Sequence, residues 1–161
     1  MAVELMGIRK ESAGPFLQSV KRKIMKVLVF YVNSFGYEPK VKNVEHAPEP
    51  GGGQVIEDAI LAFIQVEESD EEKDIKSREK KLVNHLKWTA RKNDAVNVIL
   101  HSFAHLSESK ASFEFTKELF NAAQDRLENG GYVVHQTPFG YFLDLKIDAP
   151  GASLARIWAS L

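Results

Sequence analysis

The stretch that decides the fold is MKVLVFYV, residues 25–32. It is a nearly uninterrupted apolar run, rich in valine and aromatic residues, as is typical of a strand buried on both faces of a sheet. We therefore expect it to be a central strand. Residues 33–36 (NSFG) carry turn chemistry, and YEPKVKNV (37–44) alternates partly with period two. Pro39 places that second strand at a sheet edge, because proline has no N–H for the ladder.

The next segments are a loop and a second apolar run. EHAPEPGGGQ (45–54) combines two prolines with three consecutive glycines and is predicted to be a flexible loop. A phosphate-binding interpretation of the glycines is disfavoured, because no lysine and no Ser/Thr follows at P-loop spacing. VIEDAILAFIQV (55–66) is best interpreted as a strand centred on 59–66, although its length also permits a helix.

Two helices follow in the pattern. Over residues 70–92 apolar side chains recur about every 3.6 positions, and Ser69 or Asp70 is a plausible cap. After a third strand at 95–103, a second helix carries an apolar stripe of Phe113, Thr116, Phe120, Ala123 and Leu127. Ser107, Ser109 and Ser112 are alternative caps, and Gly130 or Gly131 ends the helix.

Two short strands at 132–135 and 141–147 complete the pattern, joined by the turn QTPFG at 136–140. Strands that alternate with two long helices predict an α/β fold, a single-domain sandwich of a mixed β-sheet with two main helices. Residues 1–24 are predicted to be an N-terminal extension that packs as a short helix. They are unlike a secretory signal, because their basic cluster at 21–23 follows the apolar residues.

Composition excludes several classes of protein. The 161 residues include no cysteine, which excludes disulfide frameworks, thiolate zinc sites and cysteine nucleophiles. No run approaches the ~18 apolar residues of a membrane helix. With 21 basic and 22 acidic residues the net charge is −1, so any contact with nucleic acid must be local. A reducing, cytoplasmic location fits the absence of cysteine.

Metal and triad chemistry are disfavoured by the spacing of the candidate residues. His101 and His105 are four apart, but they straddle a strand end and a turn rather than one helical face. Without cysteine or a His-Glu-x-x-His helix, we expect no metal and no cofactor. Ser102 and His105 could be assembled with an aspartate into a triad, yet no Gly-x-Ser-x-Gly elbow positions a serine.

Two segments have the composition of a binding corner. In HSFAHLSES (101–109) a strand runs into a turn carrying His105 and then a serine-rich helix start, which leaves free N–H groups beside an imidazole. In HQTPFGYFLDLK (135–146) a sharp turn presents aromatic residues suited to stacking on a base or walling a pocket. On composition alone, ordinary core packing is the favoured interpretation of both segments.

A resemblance to a known family favours a binding site over ordinary core packing for these two segments. MKVLVFY (25–31), AFIQVE (62–67), FAHLS (103–107) and TPFGYF (137–142) resemble, in this order, the archaeal threonyl-tRNA synthetase N-terminal editing domain. That family shares its fold with D-aminoacyl-tRNA deacylases. The resemblance runs from Met25 almost to the C-terminus, so it implies an editing domain over 25–161.

The family resemblance implies a reaction and a set of site residues. The reaction is hydrolysis of the ester between serine and threonine tRNA, with the tRNA 2′-hydroxyl and backbone amides assisting the attacking water. His105 matches the active-site histidine, and the substrate-binding positions are those of Val66, Phe103, Ala104, Phe139, Gly140, Tyr141 and Phe142. The implied partners are the CCA end of tRNA(Thr), synthetase catalytic and anticodon-binding domains in cis or trans, and a second copy in a homodimer. No membrane partner is implied.

Two alternatives stay open, and the second of them is suggested by two departures from the family. Leu143 stands where the family commonly has lysine, and Arg156 stands near the place of an acidic residue. One alternative is a D-aminoacyl-tRNA deacylase. The other is a module that kept tRNA binding but lost catalysis.

Overall fold

A computed structural model describes residues 24–161, and within that range the chain forms six strands and two α-helices. Two short 3-10 helices, Glu68–Glu72 and Ser153–Ala155, lie between them. The predicted extension at 1–24 lies, apart from Ile24, outside the described residues. The strands and α-helices, in chain order, are β1 (Lys26–Lys42), β2 (Gln54–Gln65), α1 (Ile75–Lys92), β3 (Asn97–Ser102), α2 (Phe113–Asn129), β4 (Val133–Gln136), β5 (Tyr141–Asp148) and β6 (Arg156–Ser160).

The strands form one mixed sheet in the order β4-β3-β2-β1-β5, with β6 also paired to β1. β2 and β3 are parallel, as are β3 and β4, whereas every pair that involves β1 is antiparallel. β1 is long enough to pair with β6 along its first half and with β5 along its second. The prediction that MKVLVFYV is a central strand is confirmed, and so is the α/β class with a mixed sheet and two helices.

The turn predicted at 33–36 is wrong, because β1 continues through it. Val32 pairs with Ala59 and Ser34 with Glu57. Pairing with β2 satisfies the backbone N–H and C=O groups of this segment, so the chain stays extended instead of forming a turn. Asp58, opposite Asn33, has a positive φ of 49°. Side-chain alternation slips at this point, so that Val32 and Phe35 both join the same buried cluster.

The separate edge strand predicted at 37–44 is wrong, because residues 37–42 are the last part of β1. Pro39 lies in this part, where the β2 side of β1 is free. Pro39 pairs with Leu143 of β5, while pairing with β2 ends at Tyr37 and Gln54. The missing N–H therefore breaks no ladder with β2, which agrees with the edge position predicted for Pro39.

Helix α1 begins later than predicted. Asp70 does not start it but belongs to the preceding 3-10 helix, where its buried carboxylate accepts from the Glu67 N–H at 2.8 Å. Asp74 caps α1 by accepting from the Lys76 N–H.

Of the three serines considered for α2, Ser112 is the cap, accepting from the Phe115 N–H at 3.2 Å, and Gly130 ends the helix. Strand β6 was not predicted.

Both helices pack on one face of the sheet. Their apolar stripes, with Leu82, Leu86, Leu119 and Phe120 at most 1% exposed, bury the side of β1 and β2 that carries Val27 and its neighbours. The opposite face holds a second cluster around Phe35, Tyr37, Leu61 and Phe63, against which Leu143 and Leu145 of β5 pack. Because β2 and β3 are parallel, their carboxyl ends lie at the same edge of the sheet. The candidate site lies at this edge.

Candidate functional site

A cavity of about 360 Å³ opens at the carboxyl ends of β2 and β3, between the turn at 103–107, the start of α2 and the turn at 138–142. The structure brings all of the predicted site residues to this one cavity. They come from three separate segments: Val66, then Phe103, Ala104 and His105, and then Phe139, Gly140, Tyr141 and Phe142.

The turn that carries His105 presents unpaired backbone N–H groups. The Phe103 N–H donates to the Ile64 carbonyl at 2.9 Å, which continues the alignment of β3 on β2. Between Phe103 and Leu106, the N–H groups of Ala104 and His105 donate to no other described residue. The His105 imidazole lies edge-on to Phe103 with ring centroids 4.9 Å apart. Two free donors beside an exposed imidazole form an arrangement that can hold an oxyanion.

Gln65 fixes this turn from below. Gln65 is only 2% exposed. Its Nε2 donates to the Ser107 carbonyl at 3.0 Å and to the Ser109 carbonyl at 2.7 Å. The Leu106 N–H donates to its Oε1. One buried amide therefore satisfies three backbone groups of the loop that follows His105, which holds that loop against β2.

Buried charges extend this anchorage. The Ser109 hydroxyl donates to Glu67 Oε2 at 2.6 Å, and Lys26 Nζ lies 3.3 Å from Glu67 Oε1. Asp70 forms an ion pair with Arg78 at 2.8 Å, and burial raises the pKa of Asp70 while Glu67 N–H and Arg78 oppose that shift. Because these charges are paired, the loop rests on a compensated buried network.

The opposite wall is the turn at 138–142. Gly140 has φ +89°, and its carbonyl accepts from the Asn43 N–H at 2.8 Å. A Cβ at this position would lie 2.6 Å from the Cβ of Ala47, so the turn requires glycine for both conformation and space. The Tyr141 hydroxyl donates to the Pro48 carbonyl at 2.8 Å. The first part of the predicted flexible loop 45–54 is thus docked against the pocket turn.

Aromatic rings fill the base of this wall. Phe139 packs edge-on to Phe113 with centroids 4.6 Å apart, and to Phe120 at 5.9 Å. Phe142, by contrast, is 51% exposed at the rim. The aromatic residues therefore divide into an anchored ring at 139 and an exposed ring at 142 that is available for stacking.

His101 also lines the cavity but is a different kind of histidine from His105. It is buried at the end of β3, its Nδ1 lies 2.8 Å from the Thr137 hydroxyl, and Phe63 packs edge-on to it. Burial lowers the pKa of His101 to about 4, so the ring is neutral at pH 7. Its position supports the wall rather than a metal pair with His105. Among residues 24–161, no group of three His, Cys, Asp or Glu side chains is placed to hold a metal ion.

Leu143 and Arg156, the two positions that depart from the family pattern, lie in different parts of the structure. Leu143 lines the cavity and packs against the second apolar cluster. Arg156 is in β6, with its guanidinium 5.8 Å from the centroid of the Phe30 ring, and it is not among the residues that line the cavity.

Several cavity residues were missed by reasoning from the sequence. They include Gln65, Lys110, Thr116 and the pair Asn43 and Val44. Only Gln65 left a signal, as the one polar residue in the apolar run AILAFIQV. The others come from segments whose approach to the cavity depends on tertiary packing.

Comparison with known proteins identifies the family. Residues 25–161 match the family described as the archaea-specific editing domain of threonyl-tRNA synthetase. The chain belongs to this family. The editing domain is 32% identical over 136 residues to the threonine–tRNA ligase of Thermococcus onnurineus (strain NA1) and 30% identical over 136 residues to that of Pyrococcus furiosus. Each alignment covers 83% of this chain and 22% of the ligase, so the chain spans about a fifth of those relatives.

A solved structure shares the fold of this editing domain. The c-Myc DNA unwinding element binding protein superposes with a TM-score of 0.57 at 12% identity, covering 84% of this chain and 98% of that one. The D-aminoacyl-tRNA deacylase-like fold predicted from the resemblance is confirmed. As an editing domain of a synthetase, the chain belongs to the machinery that proofreads mischarged tRNA. No helix within residues 24–161 combines the length and apolar character that crossing a membrane requires.

Proposed function

We propose that the domain hydrolyses seryl-tRNA(Thr), releasing serine that a threonine-specific synthetase has attached in error. The observation that carries the proposal is the cavity in which His105, two unpaired N–H groups and the aromatic turn meet. A synthetic site for threonine discriminates weakly against an amino acid lacking one methyl group, since that group is worth only ~1–3 kcal/mol. A second, hydrolytic site supplies the remaining accuracy.

In the proposed complex, the CCA end of the tRNA enters the cavity. The terminal adenosine packs against the backbone at Val66 and Ala104 and the side chain of Phe103. The aromatic turn formed by Phe139, Gly140, Tyr141 and Phe142 closes the other side. These assignments follow the family motifs, and the common cavity supports them.

The proposed reaction is a direct hydrolysis. The N–H groups of Ala104 and His105 hold the ester carbonyl oxygen as negative charge develops on it. A water molecule, aligned by the ribose 2′-hydroxyl and the His105 imidazole, attacks the carbonyl carbon. The bond from that carbon to the ribose O3′ breaks, the water hydroxyl stays on the serine carboxyl group, and its proton passes to O3′.

The ribose 2′-hydroxyl of the tRNA takes on a larger role because of the residues at the two positions that depart from the family. Leu143 is apolar and Arg156 does not line the cavity, so neither position offers a side-chain base. Holding water between the 2′-hydroxyl and backbone amides uses orientation and preorganised dipoles instead. Threonine is rejected by its methyl group, either through a clash with the wall or through displacement of the water.

A panel of esters tests this function against its alternatives. Seryl-tRNA(Thr), threonyl-tRNA(Thr) and a D-aminoacyl-tRNA are incubated with the domain, and release of amino acid is followed. We expect rapid loss of serine only. Release of the D-amino acid irrespective of side chain would identify a D-aminoacyl-tRNA deacylase. Binding without turnover of any ester would identify a catalytically degenerate module, the alternative that Leu143 and Arg156 favour.

The molecular context is proposed from the family. We propose residues 25–161 as the editing domain and 1–24 as an extension, acting in the cytoplasm with synthetase catalytic and anticodon-binding regions in cis or trans. We also propose a homodimer, which sedimentation of the purified chain tests directly.

A further inference from the structure

A second cavity, of about 430 Å³, adjoins the first. The two share Phe113, Pro138 and Phe139 as a common wall. The lining of the second cavity also includes Pro48, Glu49 and Pro50 of the loop and Lys117 of α2. A ligand longer than the first cavity could therefore extend along this wall into the second.

The ammonium group of Lys117 carries an uncompensated charge in this cavity. Within the described residues it forms no ion pair with a carboxylate, and Glu49, which shares the lining, is not paired with it. Its Nζ lies 5.9 Å from the centroid of the Phe139 ring, and burial lowers the pKa of Lys117. A partly desolvated cation of this kind gains from an anionic ligand.

Gln136 holds the lysine in place. Its Oε1 accepts from Lys117 Nζ at 3.0 Å, while its Nε2 donates to Asn121 Oδ1 at 3.0 Å and Gln124 Oε1 at 2.7 Å. The amide is thus fixed with its oxygen toward the lysine. A neutral acceptor orients the ammonium without neutralising it, and two of its three protons stay available.

We propose that the second cavity binds the phosphodiester group that precedes the terminal adenosine of the tRNA, with Lys117 as its counter-charge. This rests on the proposed function, which places that adenosine in the first cavity. The aromatic faces of Phe113, Phe139 and Tyr37 in the second cavity supply surface for the sugar and base upstream.

Two minimal substrates test the proposal. They are the seryl ester of adenosine and the seryl ester of the dinucleotide cytidylyl-adenosine, which differ by one phosphodiester and one nucleoside. For the unchanged protein we expect kcat/KM to be higher for the dinucleotide by about tenfold, the value of one charge-assisted contact. In Lys117→Met we expect most of this gain to disappear, and Lys117→Arg should retain it.

A matched control separates local from general effects of charge. Lys81 is exposed on α1 and lines neither cavity, so Lys81→Met removes the same charge and should retain the gain from the dinucleotide. The slope of log KM against log salt for the dinucleotide should also become shallower by about 0.7 in Lys117→Met, as one released counterion predicts. Thermal unfolding shows whether each variant is folded.

The outcomes distinguish the two proposals. If the unchanged protein hydrolyses both esters at equal kcat/KM, or if Lys117→Met keeps the full gain, the phosphodiester site is wrong while the hydrolytic function stands. If the unchanged protein hydrolyses neither ester and no seryl-tRNA(Thr), the proposed function itself fails.

Discussion

The Nδ1 of His101 lies 2.8 Å from the hydroxyl oxygen of Thr137, and this contact joins the end of β3 to the residue that enters the pocket turn. Both residues are 6% exposed. The two walls of the cavity, one carrying His105 and the other carrying Phe139 to Phe142, are therefore tied together beneath the site. The imidazole in this contact is neutral at pH 7, because burial lowers the pKa of His101 to about 4.

The pH dependence of stability follows from this histidine. The pKa of His101 is lowered to about 4 by burial, so between pH 6.5 and 4 the unfolded chain binds a proton that the folded chain does not. The free energy of unfolding should fall as the pH drops through this window, by on the order of 3 kcal/mol in total from this group. Urea unfolding of the protein and of His101→Gln at several pH values measures the contribution.

His101→Gln keeps a side chain able to reach a hydroxyl but does not titrate. The difference in unfolding free energy between the two proteins should therefore shrink as the pH is lowered. Parallel curves for both proteins from pH 7 to pH 4 would show that His101 does not carry the effect.

Gln65→Leu tests the anchorage of the His105 loop. Leucine fills similar space but leaves the carbonyls of Ser107 and Ser109 and the Leu106 N–H without their partner. The loop should lose its fixed position, and kcat for seryl-tRNA(Thr) should fall by about tenfold or more with a smaller change in KM. Steady-state kinetics with a thermal melt measures both, and an unchanged kcat in a folded variant would contradict this role of Gln65.

Gly140→Ala tests how tightly the pocket turn is packed. Positive φ disfavours alanine by about 1–2 kcal/mol, and at Gly140 the new Cβ would also meet Ala47 at 2.6 Å. Gly131→Ala is the matched control, because Gly131 has φ +91° with nothing within 4 Å of the added Cβ. Both variants should lose stability, Gly140→Ala by clearly more, and only Gly140→Ala should lose deacylation. Equal losses of stability would contradict this prediction, because they would mean that the loop at 43–48 moves away from the added Cβ without cost.

His105→Ala tests the contribution of the imidazole. If the imidazole only helps to align water that the 2′-hydroxyl also holds, kcat should fall by about tenfold, less than the loss of a sole general base would cause. Complete loss of activity in a folded variant would instead make His105 the principal base.

Much of the fold could be predicted because local and global signals agree. The apolar run at 25–32 is central, and the periodic stripes of α1 and α2 face the sheet as expected. The turn at 33–36 was predicted wrongly because pairing with β2 overrides the turn preference of its residues. β6 was missed because its five residues become a strand only when β1 offers them a partner.

The candidate site was predicted to a similar extent. The two motif blocks and Val66 meet in one cavity, as the family resemblance implied. What the sequence did not indicate is how the walls are held, because Gln65 reaches the carbonyl of Ser109 across 44 positions and His101 reaches Thr137 across 36. Such contacts depend on the register of β2, β3 and β4 and have no local signature.

The central claim is that the tRNA supplies a hydroxyl that the protein's side chains do not replace. Seryl-tRNA(Thr) ending in 2′-deoxyadenosine, esterified at its 3′-hydroxyl, tests it directly in single-turnover deacylation beside the normal substrate. The account predicts that the domain binds the deoxy substrate but leaves its ester intact at times when the normal ester is fully hydrolysed. Hydrolysis of the deoxy substrate at the normal rate would contradict it.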